Sequence, residues 1–532
     1  MKFNTRLIER CARSVPGEQT ELLGIGDIAQ EDGYSVHKAL SEHPTGIPVS
    51  AYRDEDGGLC ILQRDGLSHV LVAGSTGCGK SMRYLINQLF DLNGKTSVIV
   101  ADIKGELYRY TARYLKSVYG EENVHYMDFI RPERSEVLFN PFTGIAQRYL
   151  EAELYPDRVR SIRNEALADL RKLCDKLFPN RSEKDPSWDE GARGFIYGIL
   201  VGLLEDMFLN REQEAKTGRR RVLPEQINFE TVNEVFSRFE YGEEFNDRGF
   251  FETRDRDDLA LRHVRGIIND ARNTRACYLQ LVESYLNGYS YPDICALTIA
   301  DTFDIASLAD TPQVLFLTYD ITDERMRGFV NQYVVKSLDT LKEKAIDRGA
   351  PLEVPVMYLL DEFPTLQADP IYATIFSVGR GWNIFITAIV QDLTQLETTY
   401  SNGVAQQIRN NCNLMFFWGT NDVHTAKAVK EQLGRHTIPD PASYLQGAVK
   451  FIEVNLVAED ALMHRMEPGE TYITINSHMP MRGFFELYFN CPEYTRYPQD
   501  SGERQPAIDV EDAKYHYDTL WMQQRRKKSL WE

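Results

Sequence analysis

Leu71-Val72-Ala73-Gly74-Ser75-Thr76-Gly77-Cys78-Gly79-Lys80-Ser81 decides the reading of this chain. An apolar run, His69–Ala73, precedes the glycines and predicts a buried parallel strand. Behind them Leu85, Ile86, Leu89 and Phe90 recur at helical spacing until Asn93-Gly94 stops the pattern. Gly74, Gly79, Lys80 and Ser81 therefore fit the phosphate-loop pattern in its required strand–loop–helix setting. The spacing has a chemical reason. Glycines at 74, 77 and 79 let backbone N–H groups turn inward on phosphate oxygens, and the helix N-terminus adds its dipole. Lys80 is expected to reach the transferring phosphate and Ser81 to ligand Mg²⁺ through its hydroxyl. The whole loop, Gly74, Ser75, Thr76, Gly77, Cys78, Gly79, Lys80 and Ser81, is expected to bind nucleotide. The bland alternative is a glycine-rich turn.

The 532 residues suffice for two to four domains, and 43% apolar content excludes a disordered protein. The net charge of −19 argues against a protein that coats DNA. It is compatible with a motor whose basic channel is flanked by acidic surface. Eight scattered cysteines with no C-x-x-C pair point to a reducing compartment, without a disulfide framework or zinc site. The histidines are dispersed too, so no transition-metal site is expected. Met1–Thr20 is polar and charged, unlike a signal peptide. The most lipid-like run, Gly194–Leu204, falls short of the roughly 20 residues a spanning helix needs. It reads as a buried helix of a soluble or peripherally attached protein.

Along the chain, Thr96–Ala101 and Val124–Met127 predict further strands, and strand–helix alternation predicts an α/β fold with a parallel twisted sheet. Asp102, Lys104 and Glu106 lie at the C-terminal edge of their strand, the edge that faces ligand in such sheets. From about 145 to 300 helical periodicity dominates, which predicts an inserted all-α domain. Its basic run Lys216–Arg221 is either a solvated turn or a DNA contact. Strand signals resume at Gln313–Tyr319, Val354–Phe363, Asn383–Ile389, Asn413–Trp418 and Glu470–Asn476, with a helix from about Val423 to Leu433. The expected organisation is a discontinuous nucleotide-binding domain over 1–144 and 301–494, the all-α insert at 145–300, and a polar tail at 495–532. That tail carries Arg525–Lys528 between Trp521 and Trp531.

Val356-Met357-Tyr358-Leu359-Leu360 runs into Asp361-Glu362. In phosphate-loop ATPases the acid ending such a strand holds Mg²⁺, and a following Glu can polarise the attacking water. Adjacent strand residues point to opposite faces, so Asp361 is assigned to the metal and Glu362 to the water. Gln391, at the tip of the next strand, is a candidate sensor of the terminal phosphate. Arg380 lies between two glycines, where a tight turn can expose it to a neighbouring subunit's nucleotide.

Taken together, these residues resemble the coupling ATPases of type IV secretion and bacterial conjugation. The likeness rests on Gly74–Ser81, Asp102-x-Lys104-Gly105-Glu106-Leu107, Asn140-Pro141, Trp188 ahead of the helical insertion, Leu360–Phe363, Gly379-Arg380-Gly381 and Gln391. The resemblance covers roughly residues 65 to 490. It implies a RecA-type P-loop NTPase domain with an inserted all-α domain, using ATP and Mg²⁺. It implies a homo-hexamer that takes relaxase-bound single-stranded DNA, and possibly protein substrates, to a secretion channel. Lys80, Glu362, Arg380 and Gln391 would be catalytic, Arg380 as a finger acting in trans, and Ser81 and Asp361 would hold the metal. Many members begin with transmembrane helices; this sequence shows none, so recruitment to the inner face of the cell membrane by a membrane-embedded partner is expected. Two rival functions remain. One is a double-stranded DNA translocase of the septal or repair type; the other is a nucleotide-gated adaptor with little motor activity.

Overall fold

The computed structural model describes residues 22–181, 186–241, 245–247, 249–439, 451–476 and 478–500. Met1–Thr20 and the basic run Arg525–Lys528 of the tail lie outside the described residues. Within them the chain forms two compact units. One draws on 22–125, 305–321 and 334–500, the other on 126–304 and 322–333.

The first unit opens with a small antiparallel sheet of β1 (Tyr34–Lys38), β2 (Gly46–Arg53) and β3 (Leu59–Asp65), in the order β1-β3-β2. The chain then enters β4 (Val70–Gly74), whose five residues are all buried. After the glycine loop, a π-turn over Ser81–Leu85 leads into α1 (Ile86–Phe90). Next come β5 (Ser97–Ile103), α2 (Glu106–Tyr119) and β6 (Val124–Asp128). Later strands are β7 (Val314–Tyr319), β8 (Val356–Leu360), β9 (Ile384–Val390), β10 (Leu414–Trp418), β11 (Glu470–Ile475) and β12 (Met481–Phe484).

These strands order as β12-β11-β10-β4-β9-β8-β5-β7-β6. Pairing is parallel from β10 through β7, and antiparallel at β10–β11 and β11–β12. β4, β5, β7, β8, β9 and β10 are buried along their whole length, as a parallel sheet covered on both faces requires. β8 is shorter than the Val354–Phe363 run suggests. Pro355 has no N–H to give to a ladder, and Glu362 turns into the left-handed region at φ +51°.

Beyond the end of β6 at Asp128, the described part of the second unit is helical apart from a two-residue ladder of Glu240–Tyr241 with Phe245–Asn246. Its central helix α3 (Ser187–Asp206) carries the apolar run, with every residue from Phe195 to Leu204 buried. α4 (Leu259–Ile268) and α5 (Arg272–Asn287) pack beside it. No described helix is long and apolar enough to cross a membrane. The basic run is tied into this unit: Arg219 pairs with Asp206 at 2.7 Å, and Arg221 donates to the Met207 carbonyl at 3.0 Å. Two of its arginines thus serve the local fold.

Candidate nucleotide site

β4 lies in the middle of the sheet, between β9 and β10, so the loop leaving it opens at the sheet's C-terminal edge. Gly77 and Gly79 have φ of +84° and +89°, where a Cβ would be strained. Gly74 is required for a different reason: a Cβ there would lie 2.5 Å from the Trp418 carbonyl oxygen. Ser75 N–H donates to the Gly419 carbonyl at 2.9 Å, which anchors the loop to the end of β10. The Lys80 ammonium is buried and donates to the carbonyls of Gly74 and, at 3.1 Å, Ser75. Its charge therefore lies within the concavity of its own loop.

The strand–turn logic of Asp361 and Glu362 places them apart. Asp361 is buried at the tip of β8, and its Oδ2 accepts from Ser81 Oγ at 2.8 Å. Burial pushes the Asp361 carboxyl up to about 6. Ser81's hydroxyl and the Lys80 charge pull it back, while the neighbouring Glu362 adds to the rise. Glu362 instead faces the tip of β9, where Gln391 Nε2 donates to both of its carboxylate oxygens at 3.1 Å. Gln391's own N–H donates to Gln395 Oε1 at 3.2 Å, and Asp392 caps the helix Leu393–Asn411 by accepting from Gln395 N–H.

A hydroxyl and a carboxylate oxygen side by side form an all-oxygen donor pair suited to Mg²⁺, and the glycine loop with Lys80 suits a polyphosphate. The residues present fit both groups.

Lys80, Ser81, Asp361, Glu362 and Gln391 thus come together at one edge. Arg380 does not join them. It is exposed in the turn Gly379–Trp382 before β9, at the opposite edge of the sheet. A Cβ on Gly379 would lie 3.5 Å from His69, the residue that precedes β4. The seven residues of β9 separate this turn from Gln391, roughly 20 Å at strand rise. Arg380 therefore cannot serve the nucleotide of its own subunit.

Asp102 lies at the C-terminal edge of β5 as expected, close enough to Asp361 to feel its charge, and it serves the fold there. It is buried, and its carboxylate accepts the N–H groups of Leu107 at 3.2 Å and Tyr108 at 2.8 Å, capping α2. Lys104 and Gly105, at φ +82° and +70°, make the reversal that permits this.

The sequence reading missed Gln395 and Arg83. Arg83 packs over Gly79 and donates to the Phe485 carbonyl at 2.8 Å, bracing the loop. The Asp392-x-x-Gln395 spacing of a helix N-terminus was a usable signal for the former; Phe485 is too distant in sequence to signal the latter.

A family model described as "Type IV secretory system Conjugative DNA transfer" matches residues 25–449. Protein VirD4 of Rhizobium radiobacter is 23% identical over 410 residues, 75% of this chain and 53% of the relative. Conjugal transfer protein TraG of Escherichia coli is 23% identical over 418 residues, 76% of this chain and 61% of the relative. The chain thus spans between about half and three-fifths of these relatives' length. Among solved structures, the unbound conjugative coupling protein TrwB superposes with a TM-score of 0.55 at 16% identity, over 89% of this chain and 95% of that one. TrwB has also been solved with ADP and Mg²⁺, at a TM-score of 0.54 and 15% identity, over 89% of this chain and 96% of that one. At such identity the likeness speaks to the fold alone, an α/β fold built on a mostly parallel sheet with a helical unit.

Proposed function

The chain belongs to the type IV secretory system conjugative DNA transfer family, and on that premise we propose that it is a coupling ATPase. It hydrolyses ATP to deliver relaxase-bound single-stranded DNA, with its relaxosome proteins, to a type IV secretion channel. The observation that carries this reading is the contact between Ser81 Oγ and Asp361 Oδ2 at the mouth of the glycine loop. Two elements 280 residues apart meet there in the arrangement that a Mg²⁺ ion beside nucleotide phosphate would use, which supports this reading.

The loop N–H groups of Gly74–Ser81 and the Lys80 ammonium bind the phosphates, and Ser81 and Asp361 hold Mg²⁺. Mg²⁺ held by Ser81 and Asp361 would supply positive charge beside the phosphates. Glu362 accepts a proton from the attacking water, and Gln391 holds its carboxylate in place while sensing the terminal phosphate. Arg380 reaches the pocket of the next subunit in a homo-hexamer. A membrane-embedded partner recruits the protein to the inner face of the cell membrane. The nucleotide-binding domain is 1–144 with 301–494, the helical insert is 145–300, and the tail is 495–532.

ATP turnover by the full chain, measured with and without single-stranded DNA, tests this. We expect DNA to stimulate turnover and DNA affinity to fall steeply with salt, because phosphate contacts release counterions. Glu362→Gln should retain ATP while lowering turnover by about 10²- to 10⁴-fold. Turnover indifferent to DNA, or equal in Glu362→Gln, would favour the adaptor function.

A further inference from the structure

Away from the glycine loop, three residues scattered in the sequence converge in the first unit. His37 lies on β1, His43 on the turn before β2, and Asp91 at the C-terminal end of α1. One ligand atom from each lies within 4.8 Å of the other two. His37 Nε2 is 2.7 Å and His43 Nε2 is 3.6 Å from the same oxygen, Asp91 Oδ1. The two imidazoles stack in parallel with centroids 4.0 Å apart, and the side chains of His37, His43 and Asp91 are only 8%, 3% and 2% exposed.

Hydrogen-bond accounting leaves this cluster incomplete. His43 Nδ1 lies 2.8 Å from the Pro44 carbonyl, which can only accept, so Nδ1 carries the proton. In the neutral ring Nε2 then holds a lone pair that faces a carboxylate oxygen, one acceptor against another. Asp91 Oδ2 and His37 Nδ1 are buried without any hydrogen-bond partner. The nearby phenols are engaged elsewhere: Tyr114 donates to the Leu92 carbonyl and Tyr494 to Asn87. A cation between the three ligand atoms, reached once the imidazoles turn out of their stack so that both lone pairs meet on it, resolves the facing acceptors and uses the buried carboxylate. The bond from His43 Nδ1–H to a carbonyl is the outer contact that fixes a metal-binding imidazole in the correct tautomer.

We propose that His37, His43 and Asp91 bind a zinc-class divalent transition-metal ion, with water completing the coordination. Two imidazoles and one carboxylate select such an ion over Mg²⁺, which prefers an all-oxygen shell. Ligand atoms of a tetrahedral zinc site stand roughly 3.3 Å apart, within the spread seen here. The ion would clip the three-stranded sheet to the end of the helical segment that begins at Ser81. The phosphate loop would then be braced from behind.

The test uses the full chain without a polyhistidine tag or nucleotide, in excess Mg²⁺, titrated with Zn²⁺. One zinc per chain is expected, removable by chelator, with a rise in thermal midpoint on binding. His43→Gln and Asp91→Asn should each weaken zinc binding about a hundredfold or more, since even outer contacts cost 10- to 100-fold. Binding of no zinc at micromolar concentration, or equal binding by wild type and both variants, overturns the proposal. Should a variant fail to fold, the wild-type chain loaded with Co²⁺ decides. Visible bands of nitrogen and oxygen ligation support the site; thiolate-to-cobalt charge transfer assigns the metal to cysteine and overturns it.

Discussion

A Mg²⁺ ion held by Asp361, as proposed, would be coupled to the protonation of that carboxyl. The carboxyl is pushed up to about 6 by burial, above the ordinary value of 3.8. The folded state therefore holds this proton more tightly than the unfolded state does. The stability so contributed is present below about pH 4 and is lost as pH rises through about 6. Mg²⁺ needs the ionised form, so the linkage runs the other way for the metal. Affinity for Mg²⁺ should rise by up to about tenfold per pH unit below pH 6 and level off above it. Mg²⁺ titrations between pH 5 and 8 check this, and Asp361→Asn should abolish the slope.

At the scale of elements, the helical unit is organised by small residues on α3 and by the buried cation of Arg254. A Cβ on Gly198 would lie 2.5 Å from Val264 Cγ1 of α4, and one on Gly202 would lie 2.8 Å from the Arg254 guanidinium. Only glycine lets α4 and Arg254 approach so closely. The Arg254 side chain is fully buried, and pairs with Asp206 at 2.9 Å and Glu205 at 3.2 Å. Removing Arg254 leaves Asp206 with Arg219 alone against its buried charge, so Arg254→Met should destabilise the protein by about 3 kcal/mol in urea unfolding at pH 7.5. Burial already pushes Asp206 up to about 6, against the pull of Arg254 and Arg219. At pH 5 the stranded carboxylate takes up a proton, and the penalty should shrink. An equal loss at both pH values would contradict this account of α3.

At the scale of the whole molecule, Arg380 is exposed at the sheet edge opposite the glycine loop, so any role in turnover requires a second subunit. Its guanidinium is permanently charged and grips phosphate oxygens in a planar, bidentate way. Mixing provides the test. Arg380→Ala subunits keep an intact pocket, and Lys80→Ala subunits keep an intact Arg380. Mixed assemblies should regain ATPase activity that neither variant shows alone. Arginine fingers contribute roughly 10³- to 10⁵-fold, so a small rescued fraction rises above background. Mixed assembly, demonstrated directly, without recovery would remove Arg380 from the site.

The sequence alone determined the parts of the site whose chemistry is local. The glycines, Lys80 and Ser81 stand within one loop, and the strand carrying Asp361-Glu362 is recognisable from its apolar run and its two acids. The divergence of those acids, expected from the alternation of side chains along a strand, arises instead beyond Leu360, where Glu362 turns into the left-handed region. Tertiary structure decided everything that depends on which strands become neighbours. It set β9 between β4 and β8, which brings Gln391 to Glu362 and carries Arg380 to the far edge. It made Asp102, at the same edge as Asp361, the cap of a helix, and it gathered His37, His43 and Asp91 from a sequence in which the histidines look dispersed. The reason is physical: periodicity reports which face of an element is buried, whereas the order of strands in a sheet is settled by packing among segments hundreds of residues apart.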